Sequence, residues 1–494
     1  MKKWIKIAGL LVLTLPVAVP ADDFTYITNA DNTITITGYT GSGGAVILPD
    51  TTNGLPVTSI GTNAFQSKSS LISVIIPNSV TNIGNYAFQS CTKLTDVTIG
   101  TNVTSIGTLA FVSCKLTTIT IPDSVTDIGG SAFQYCYSLT NAIIGKGVSS
   151  IIDFAFNRCT NLSAIVVDTD NTSFSSYDGV LFNKSQTTLI VYPPAKLGNG
   201  YVIPTNVTKV SISAFQYCSG LTAIITDINS TSFSSADGVL FNKNQTTLFQ
   251  YPRGKTGIYT VPNSITNIGD RAFSTCTELT DITIPDSVTL IGVAAFRECS
   301  KLVSITLPNG ISAIDDQLFY GCSNLTKVKM PNSVSYIGLW GFYACNNLTT
   351  VKIPGSITNF MSNAFGSCTR LAGLYFQGNA PSLGSSVFQN TTNLTIYYLS
   401  GTTGWGATFG GRPTVVWNPK VQTGDANFGV QSNRFGFNIT GTNDFTVVVE
   451  ACTNLAEGVW VPVETNTLTG GSAQFSDPAW SNYPNRYYRV SMPQ

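Results

Sequence analysis

The sequence predicts a β-dominated solenoid followed by a small antiparallel β-domain. The stretch LTDITIPDSVTLIGVAAFRECS, at 279–300, recurs in altered form along most of the chain. Five cysteines in one phase of this stretch follow one another every 23 residues, at Cys276, Cys299, Cys322, Cys345 and Cys368, and the period ends near Asn427. A fixed period in the twenties is typical of a solenoid, in which each repeat buries its apolar side against its neighbours.

Each predicted coil begins with a short strand. In LTDITIP, apolar residues alternate with polar ones except at one step, so the strand buries one face. Pro285 ends it, because proline cannot donate a hydrogen bond to a strand ladder. Turn residues then lead to the dipeptide Ala295-Phe296, a corner that places a small residue beside a large one, with Cys299 three residues on. Counting such corners and two insertions predicts about 14 coils of 22–23 residues.

The pattern L-x-x-I-x-I-P-x-x-V-x-x-I-G-x-x-A-F-x-x-C resembles the BspA-like leucine-rich repeat family of secreted and surface proteins. It is visible from Leu48 to Val416. The resemblance implies a stack of parallel strands and a binding or adhesion role.

Ten of the 11 cysteines occupy one phase of the repeat. Neighbours in such a ladder would lie about 5 Å apart, but parallel side chains give poor disulfide dihedral angles. We therefore expect a column of buried thiols rather than adjacent disulfides, with Cys452 outside it. The predicted structural ladder consists of Cys91, Cys114, Cys136, Cys159, Cys218, Cys276, Cys299, Cys322, Cys345 and Cys368.

Residues 1–21 have the features of a secretory signal peptide: lysines, an apolar run and small residues before Asp22. A membrane anchor is the alternative, but the apolar run is shorter than the ~20 residues that span a bilayer. No later stretch is apolar enough to cross a membrane, so we expect a chain that is secreted or at the cell surface, with no transmembrane segment once the signal peptide is removed.

The remaining chain divides into a β cap at 22–47, the solenoid at 48–394, its C-terminal cap at 395–418, a linker at 419–426 and a β-sandwich-like domain at 427–494. The solenoid carries insertions near 168–204 and 227–262. These are copies of each other, since SFSSYDGVLFNKSQTTLIVYP and SFSSADGVLFNKNQTTLFQYP match at an offset of 59 residues. Each contains two strand-like runs around a polar turn and predicts a β-hairpin.

Five strand-like runs separated by turns predict an antiparallel domain at 427–494: RFGFNI, DFTVVVEA, WVPVE, AQFSD and RYYRVSM. The domain resembles a C-terminal β-module of large secreted bacterial proteins. The resemblance rests on the order of Trp460, Phe475-Ser476-Asp477-Pro478 and Arg486-Tyr487-Tyr488-Arg489. It implies attachment to the envelope or export.

The composition excludes several kinds of chemistry. The chain contains no histidine, which removes Ser-His-Asp and Cys-His nucleophiles and histidine-bound metals. Glycosidase chemistry needs only two carboxylates, but no acid pair stands out, so we expect no enzyme and no cofactor. Asp168-Thr169-Asp170-Asn171 hints at a calcium loop, yet ordinary turn chemistry explains it. Because 11% of residues are charged and the net charge is zero, nucleic acid is not an expected partner.

One column of outward strand positions changes character along the solenoid, from threonine and aliphatic residues to lysines and then tyrosines. Aromatic side chains offer contact area and lysines pair with acids, so we predict a surface that binds a protein or glycan. The alternative is solvated decoration of a sheet face. Ice binding would need a flat array of threonines, and in this column only Thr118-Ile119-Thr120 shows Thr-x-Thr. The predicted surface consists of Lys327, Lys329, Lys352, Tyr375 and Tyr397.

The expected function is therefore that of a non-catalytic binding or adhesion scaffold. The alternative is a carbohydrate-binding or structural envelope protein whose C-terminal β-domain carries the function.

Overall fold

A computed structural model describes residues 17–18, 23–441 and 445–491. These form two compact units, an N-terminal unit of Met1–Gly238 with Pro252–Gly254 and a C-terminal unit of Val239–Tyr251 with Lys255–Gln494. The predicted signal peptide lies outside the described residues except for Val17–Ala18, which pairs in parallel with Gly44–Ile47.

The N-terminal unit contains eight coils, each starting with a strand on one face, here named the long-strand face. Inward residues such as Val74 and Ile119 are buried, and the next residue along each strand faces outward. Most neighbouring strands pair in parallel, for example Ile119 with Ala142. The strands are Gly44–Ile47, Leu71–Ile75, Asp96–Thr98, Thr118–Ile121, Asn141–Ile144, Ala164–Val167, Gly200–Ile203 and Ala223–Thr226.

A second, short-strand face follows the turn after each proline. Here short strands stack in parallel, and most of them are two residues long and end in an isoleucine that faces the core. The strands are Leu55–Ile60, Asn82–Ile83, Ser105–Ile106, Asp127–Ile128, Ser150–Ile151 and Lys209–Val210. Ahead of Leu55–Ile60, the hairpin formed by Phe24–Thr28 and Ile34–Tyr39 continues the sheet. Thr51–Thr52 pairs antiparallel with the start of Leu55–Ile60.

The Ala-Phe corners form the third side of each coil. Alternate backbone N–H groups donate to carbonyls of the next coil: Phe65 N lies 2.7 Å from Ala87 O, and Ser67 N lies 2.7 Å from Gln89 O. Inside the corner the phenylalanine rings stack on one another, with centroids 5.1 Å apart for Phe88 and Phe111. This ring column holds the coils in register, because a one-residue slip would move every ring out of the core.

The first insertion is a three-stranded antiparallel ribbon of Phe174–Tyr177, Val180–Asn183 and Thr188–Val191. Asp178 and Gly179 both have positive φ, the geometry of a two-residue hairpin turn. The predicted hairpin is present, but it does not stand beside the stack. Thr188–Val191 pairs in parallel with Lys209–Val210 and therefore supplies the short-strand face of its own coil. The second copy begins with Phe233–Ala236 in this unit.

The C-terminal unit repeats the same plan through eight more long strands. Its coils bury a second phenylalanine column, with Phe319 and Phe342 centroids 5.2 Å apart. The long strands are Gly257–Thr260, Leu279–Thr283, Ser304–Thr306, Lys327–Lys329, Thr350–Ile353, Gly373–Phe376, Thr395–Leu399 and Arg412–Trp417. The remaining strands are Val239–Asn242, Thr247–Gln250, Asn267–Ile268, Leu290–Ile291, Ala313–Ile314, Tyr336–Ile337, Asn359–Phe360, Ser382–Leu383 and Thr408–Phe409.

Within the described residues, the two units together have 16 long strands rather than the predicted 14 or so coils. The extra two are Thr395–Leu399 and Arg412–Trp417, in the segment predicted as the C-terminal cap. They lack an Ala-Phe corner, so counting corners missed them, but they pair in parallel like the other coils.

The chain ends in the predicted antiparallel β-domain. All five predicted strands are present, as Arg434–Thr440, Phe445–Cys452, Val461–Leu468, Ser472–Asp477 and Tyr487–Ser491, with a 3-10 turn at Trp480–Asn482. Two short strands, Lys420–Gln422 and Gly429–Gln431, flank Arg434–Thr440. The first of these lies within the segment predicted as a linker.

Candidate functional site

The three predicted lysines lie on the long-strand face of the C-terminal unit. Lys327 and Lys329 flank the buried Val328 and are exposed, while Lys352 follows the buried Val351 and is half-buried. Strand alternation explains this arrangement, since every second side chain points away from the core. We call these three residues the lysine strip.

The lysine strip is a cationic surface that the described part of the chain leaves unneutralised, because none of its lysines forms an ion pair there. Burial lowers the pKa of Lys352, an effect that nearby Glu450 opposes and Arg489 reinforces. Beside the strip lies a cavity of about 230 Å³ whose lining includes Lys329, Lys352 and Gln377. A cation next to an amide-lined recess can bind a carboxylate, sulfate or phosphate group.

The two predicted tyrosines have different surroundings. Tyr375 and Tyr397 stack with their ring centroids 4.8 Å apart, in line with Lys352 along the column. Tyr375 is only 6% exposed. Both tyrosines pack, together with Trp417, into the hydrophobic core of the C-terminal β-domain, whose members include Phe437, Ile439, Val447, Val449, Leu468 and Phe475. This surface of the solenoid is therefore where the β-domain docks, and a ligand can reach the lysines more readily than the tyrosines.

Sequence reasoning missed the contribution of Glu450 and Arg489, which the β-domain brings close to Lys352. Glu450 is buried and accepts a hydrogen bond from Arg489 Nε at 2.7 Å. A signal was present: Glu450 interrupts the apolar run DFTVVVEA, and a buried carboxylate needs a cationic partner.

The residue order that marked the C-terminal module proves to be a set of paired side chains. Buried Asp477 accepts hydrogen bonds from Arg486 Nε at 2.6 Å and from the Tyr488 hydroxyl at 2.9 Å. The Arg489 guanidinium lies 4.4 Å from the centroid of the Trp460 ring. The hydrogen bond from Tyr488 to Asp477 joins the two sheets of the domain, since Asp477 lies on Ser472–Asp477 and Tyr488 on Tyr487–Ser491.

The cysteine ladder is a column of buried thiols. In eight of its ten members, Sγ lies 2.9–3.2 Å from the carbonyl oxygen of the phenylalanine one coil earlier, as from Cys322 to Phe296. Burial raises the pKa of Cys322 to about 12. Thr391 occupies this phase in a later coil, and its hydroxyl donates to Phe365 O at 2.8 Å. In these nine coils a small buried donor occupies the position, which explains why Thr391 can replace cysteine there.

The sequence hint of a calcium loop is explained by hydrogen bonds within the chain. Asp168 Oδ1 accepts from Asp170 N at 2.8 Å. The buried Asn171 side chain donates to Gly145 O and Val148 O, both at 2.9 Å. Within residues 17–18, 23–441 and 445–491, no group of three or more acidic, histidine or cysteine side chains is placed to hold a metal ion.

The repeat matches a known family. A family model described as BspA type Leucine rich repeat region, in 6 copies, matches residues 58–187, 199–260, 248–338 and 294–403. No curated protein matches the chain significantly. Across the described residues, no helix is both long enough and apolar enough to cross a membrane.

Several solved structures are similar to the chain. A leucine rich cell surface protein from Faecalibacterium prausnitzii A2-165 has 30% identity and a TM-score of 0.44, with 78% of this chain and 96% of that chain covered. A leucine-rich repeat protein from Eubacterium ventriosum ATCC 27560 has 26% identity and a TM-score of 0.45, with 75% and 93% covered. A leucine-rich repeat protein from Bacteroides ovatus ATCC 8483 has 24% identity and a TM-score of 0.37, with 77% and 94% covered.

Proposed function

Because the chain belongs to the BspA-type leucine-rich repeat proteins, we propose that it is a non-catalytic binding scaffold, secreted through residues 1–21 and held at a bacterial surface. Its lysine strip binds an acidic ligand, which is either a protein or a glycan. A similar solved structure is described as a cell surface protein, which supports this location.

The observation that carries the proposal is the unneutralised charge of the lysine strip. The chain as a whole has 26 basic and 26 acidic residues, so three adjacent lysines that form no ion pair in the described chain stand out from a balanced surface. Lys327 and Lys329 project from one rigid strand, which fixes their spacing before a ligand arrives. Such preorganisation reduces the entropy lost on binding.

The positive charge of the strip also indicates whether this site suits binding or catalysis. Carboxylate-only catalysis needs two acids facing one substrate bond, whereas the carboxylate near the strip, Glu450, is buried against Arg489. The arrangement favours recognition of negative charge rather than bond cleavage.

The test compares binding of residues 22–494 to immobilised heparin, polysialic acid and extracellular-matrix proteins by surface plasmon resonance. In the variant Lys327→Glu/Lys329→Glu, we expect binding to weaken at least about tenfold, equivalent to 1.4 kcal/mol. The matched control is Lys93→Glu/Lys209→Glu, which changes the net charge equally at two exposed lysines of the N-terminal unit. Wild-type binding should also weaken as salt is raised from 50 to 300 mM, because exposed charges are screened.

Equal loss in both variants would mean that net charge, and not the strip, governs binding. Unchanged binding in the strip variant, with circular dichroism showing an intact fold, would refute the proposal.

A second candidate function is supported by the β-domain itself. Its strand Val461–Leu468 pairs with Phe445–Cys452, and Val459, Val461 and Val463 near its start are exposed. Exposed apolar strand edges pair readily with other chains, which fits a domain that tethers the protein to an envelope component. Deleting 419–494 separates the two candidates, since the first requires that ligand binding persist in the truncated chain and the second that it disappear.

A further inference from the structure

The side chain immediately after each corner phenylalanine forms a column along the coils, here named the corner column. In the N-terminal unit amides occupy much of it and bond to one another. Gln66 Nε2 donates to Gln89 Oε1 at 2.7 Å, and Gln134 Nε2 donates to Asn157 Oδ1 at 3.1 Å. These amides satisfy each other across neighbouring coils.

In the C-terminal unit the same column becomes aromatic. It runs through Arg297, Tyr320, Tyr343, Gly366 and Gln389. The Arg297 guanidinium lies 4.5 Å from the Tyr320 ring centroid, and the Tyr320 and Tyr343 rings stack with centroids 5.2 Å apart and planes 14° apart. In this unit the corner column is therefore a rigid pile of flat groups on the surface.

Gly366 interrupts this pile. A Cβ atom at that position would lie 2.8 Å from Tyr343 Cδ2, closer than atoms of this kind approach, so only glycine lets the ring occupy its observed place. The coil after Tyr343 therefore contributes no side chain to the column, and Gln389 is the next side chain along it. The pile ends where the Tyr343 ring covers the Gly366 backbone.

Two side chains from a parallel column lie beside this end of the pile. Trp340 and Asn363 each lie two residues before a corner phenylalanine, both with left-handed φ, 55° and 56°. Trp340 is 36% exposed, a large aromatic surface left in solvent. The Asn363 Oδ1 atom is buried and has no hydrogen-bond donor within the described chain. A buried acceptor of this kind is costly unless a partner arrives.

One cavity of about 350 Å³ is lined by Arg297, Gln317, Tyr320, Trp340, Tyr343, Asn363 and Gln389. Ligand sites for small molecules begin at about this volume. The charge of Arg297 is compensated, because its Nη2 lies 3.3 Å from Glu298 Oε1. The cavity thus combines aromatic rings, amides and an orphan acceptor with no free charge.

From this combination we infer that the cavity beside Gly366 is a binding site for a neutral carbohydrate. A sugar ring has apolar C–H faces that pack on Tyr343 and Trp340, and its hydroxyl groups donate to Asn363 Oδ1 and bond with Gln317 and Gln389. An acidic ligand would gain nothing here, because Glu298 already neutralises the nearby cation. The site is separate from the lysine strip and does not depend on it.

The test uses isothermal titration calorimetry of residues 22–494 with three neutral probes: cellohexaose, chitohexaose and mannohexaose. The variant is Trp340→Asn/Tyr343→Gln, which installs residues that the chain already carries at the same two positions of other coils, Asn363 and Gln389. The fold is therefore expected to survive. Leu109→Asn, at the position equivalent to Trp340 in the N-terminal unit, is the matched control.

We expect wild type and Leu109→Asn to bind at least one probe, and the double variant to bind it at least about tenfold more weakly, a 1.4 kcal/mol difference. Lys327→Glu/Lys329→Glu should bind the probe like wild type, which separates this site from the proposed function. Equal affinity of the double variant, or no binding of any probe at about 1 mM, would overturn the inference.

Discussion

The hydrogen bond of the thiol ladder makes a prediction that a single pair of variants can decide. Cys345 is fully buried, and its Sγ lies 3.2 Å from Phe319 O. Thr391 makes the equivalent bond through a hydroxyl at 2.8 Å. We therefore compare Cys345→Thr with Cys345→Val, two side chains of nearly equal volume of which only threonine has a donor.

The size of the effect follows from the surroundings. Phe319 O also accepts from Cys322 N at 3.1 Å, so losing the side-chain donor does not leave this carbonyl unpaired. The loss is then that of one ordinary hydrogen bond, about 0.5–1.5 kcal/mol. Without that bond, valine would be the better residue at a buried site because it has no hydroxyl to desolvate. We expect Cys345→Thr to be more stable than Cys345→Val by about 1 kcal/mol.

Urea unfolding followed by tryptophan fluorescence suits this comparison, because five of the six tryptophans lie in the C-terminal unit with Cys345. The two variants should show the same slope with urea and different midpoints. If Cys345→Val unfolds at the same or a higher urea concentration, the ladder is merely a column of small apolar groups and the assigned hydrogen bond is wrong.

Three further predictions concern the ladder and the β-domain. Burial raises the pKa of Cys322 and Cys368 from 9.0 to about 12, so above pH 9 the unfolded state loses these protons while the folded state retains them. Stability should therefore be intact below pH 9 and fall by up to about 1.4 kcal/mol per pH unit per thiol between pH 9 and 12, which urea midpoints across that range would measure. Asp477→Ala leaves Arg486 without its partner at 2.6 Å and should cost about 3–5 kcal/mol in the β-domain, seen as early loss of hydrogen-exchange protection there, with Asp425→Ala as the control. Deleting 419–494 uncovers the apolar docking surface, so binding of a hydrophobic dye should rise while far-ultraviolet circular dichroism per residue stays β-rich; no rise in dye binding would contradict the docking described above.

Much of the fold follows from the sequence because each coil repeats the same local solution. Pro285, the corner Phe296 and Cys299 predict the strand end, the ring column and the buried ladder from spacing alone, and the structure places all of them accordingly. The two cap strands escaped the count, since pairing continued where the Ala-Phe signal had ended. The sequence likewise indicated the strands of the hairpins. It did not indicate that they join the short-strand face, because that pairing depends on partners in the next coil.

The candidate site was less predictable because it combines distant segments. Column positions placed Lys329, Lys352 and Tyr375 in line, and the structure pairs Lys352 directly with Tyr375. Nothing in the repeat indicated that the β-domain would cover Tyr375, because docking of one domain on another leaves no periodic trace. The end of the aromatic pile at Gly366 was also missed. A glycine inside a turn is a common feature, and its role here is visible only when its neighbours in adjacent coils are known.

The matching insertions, offset by 59 residues, show how such a molecule gains length. One hairpin coil and one plain coil form a cassette, and because each coil contacts mainly the coils before and after it, a copied cassette meets the same surroundings as its parent. The core of the added coils then needs no new packing arrangement, whereas every added coil brings new solvent-facing positions. Growth by cassette duplication enlarges the exterior that selection can vary while the interior stays as it was.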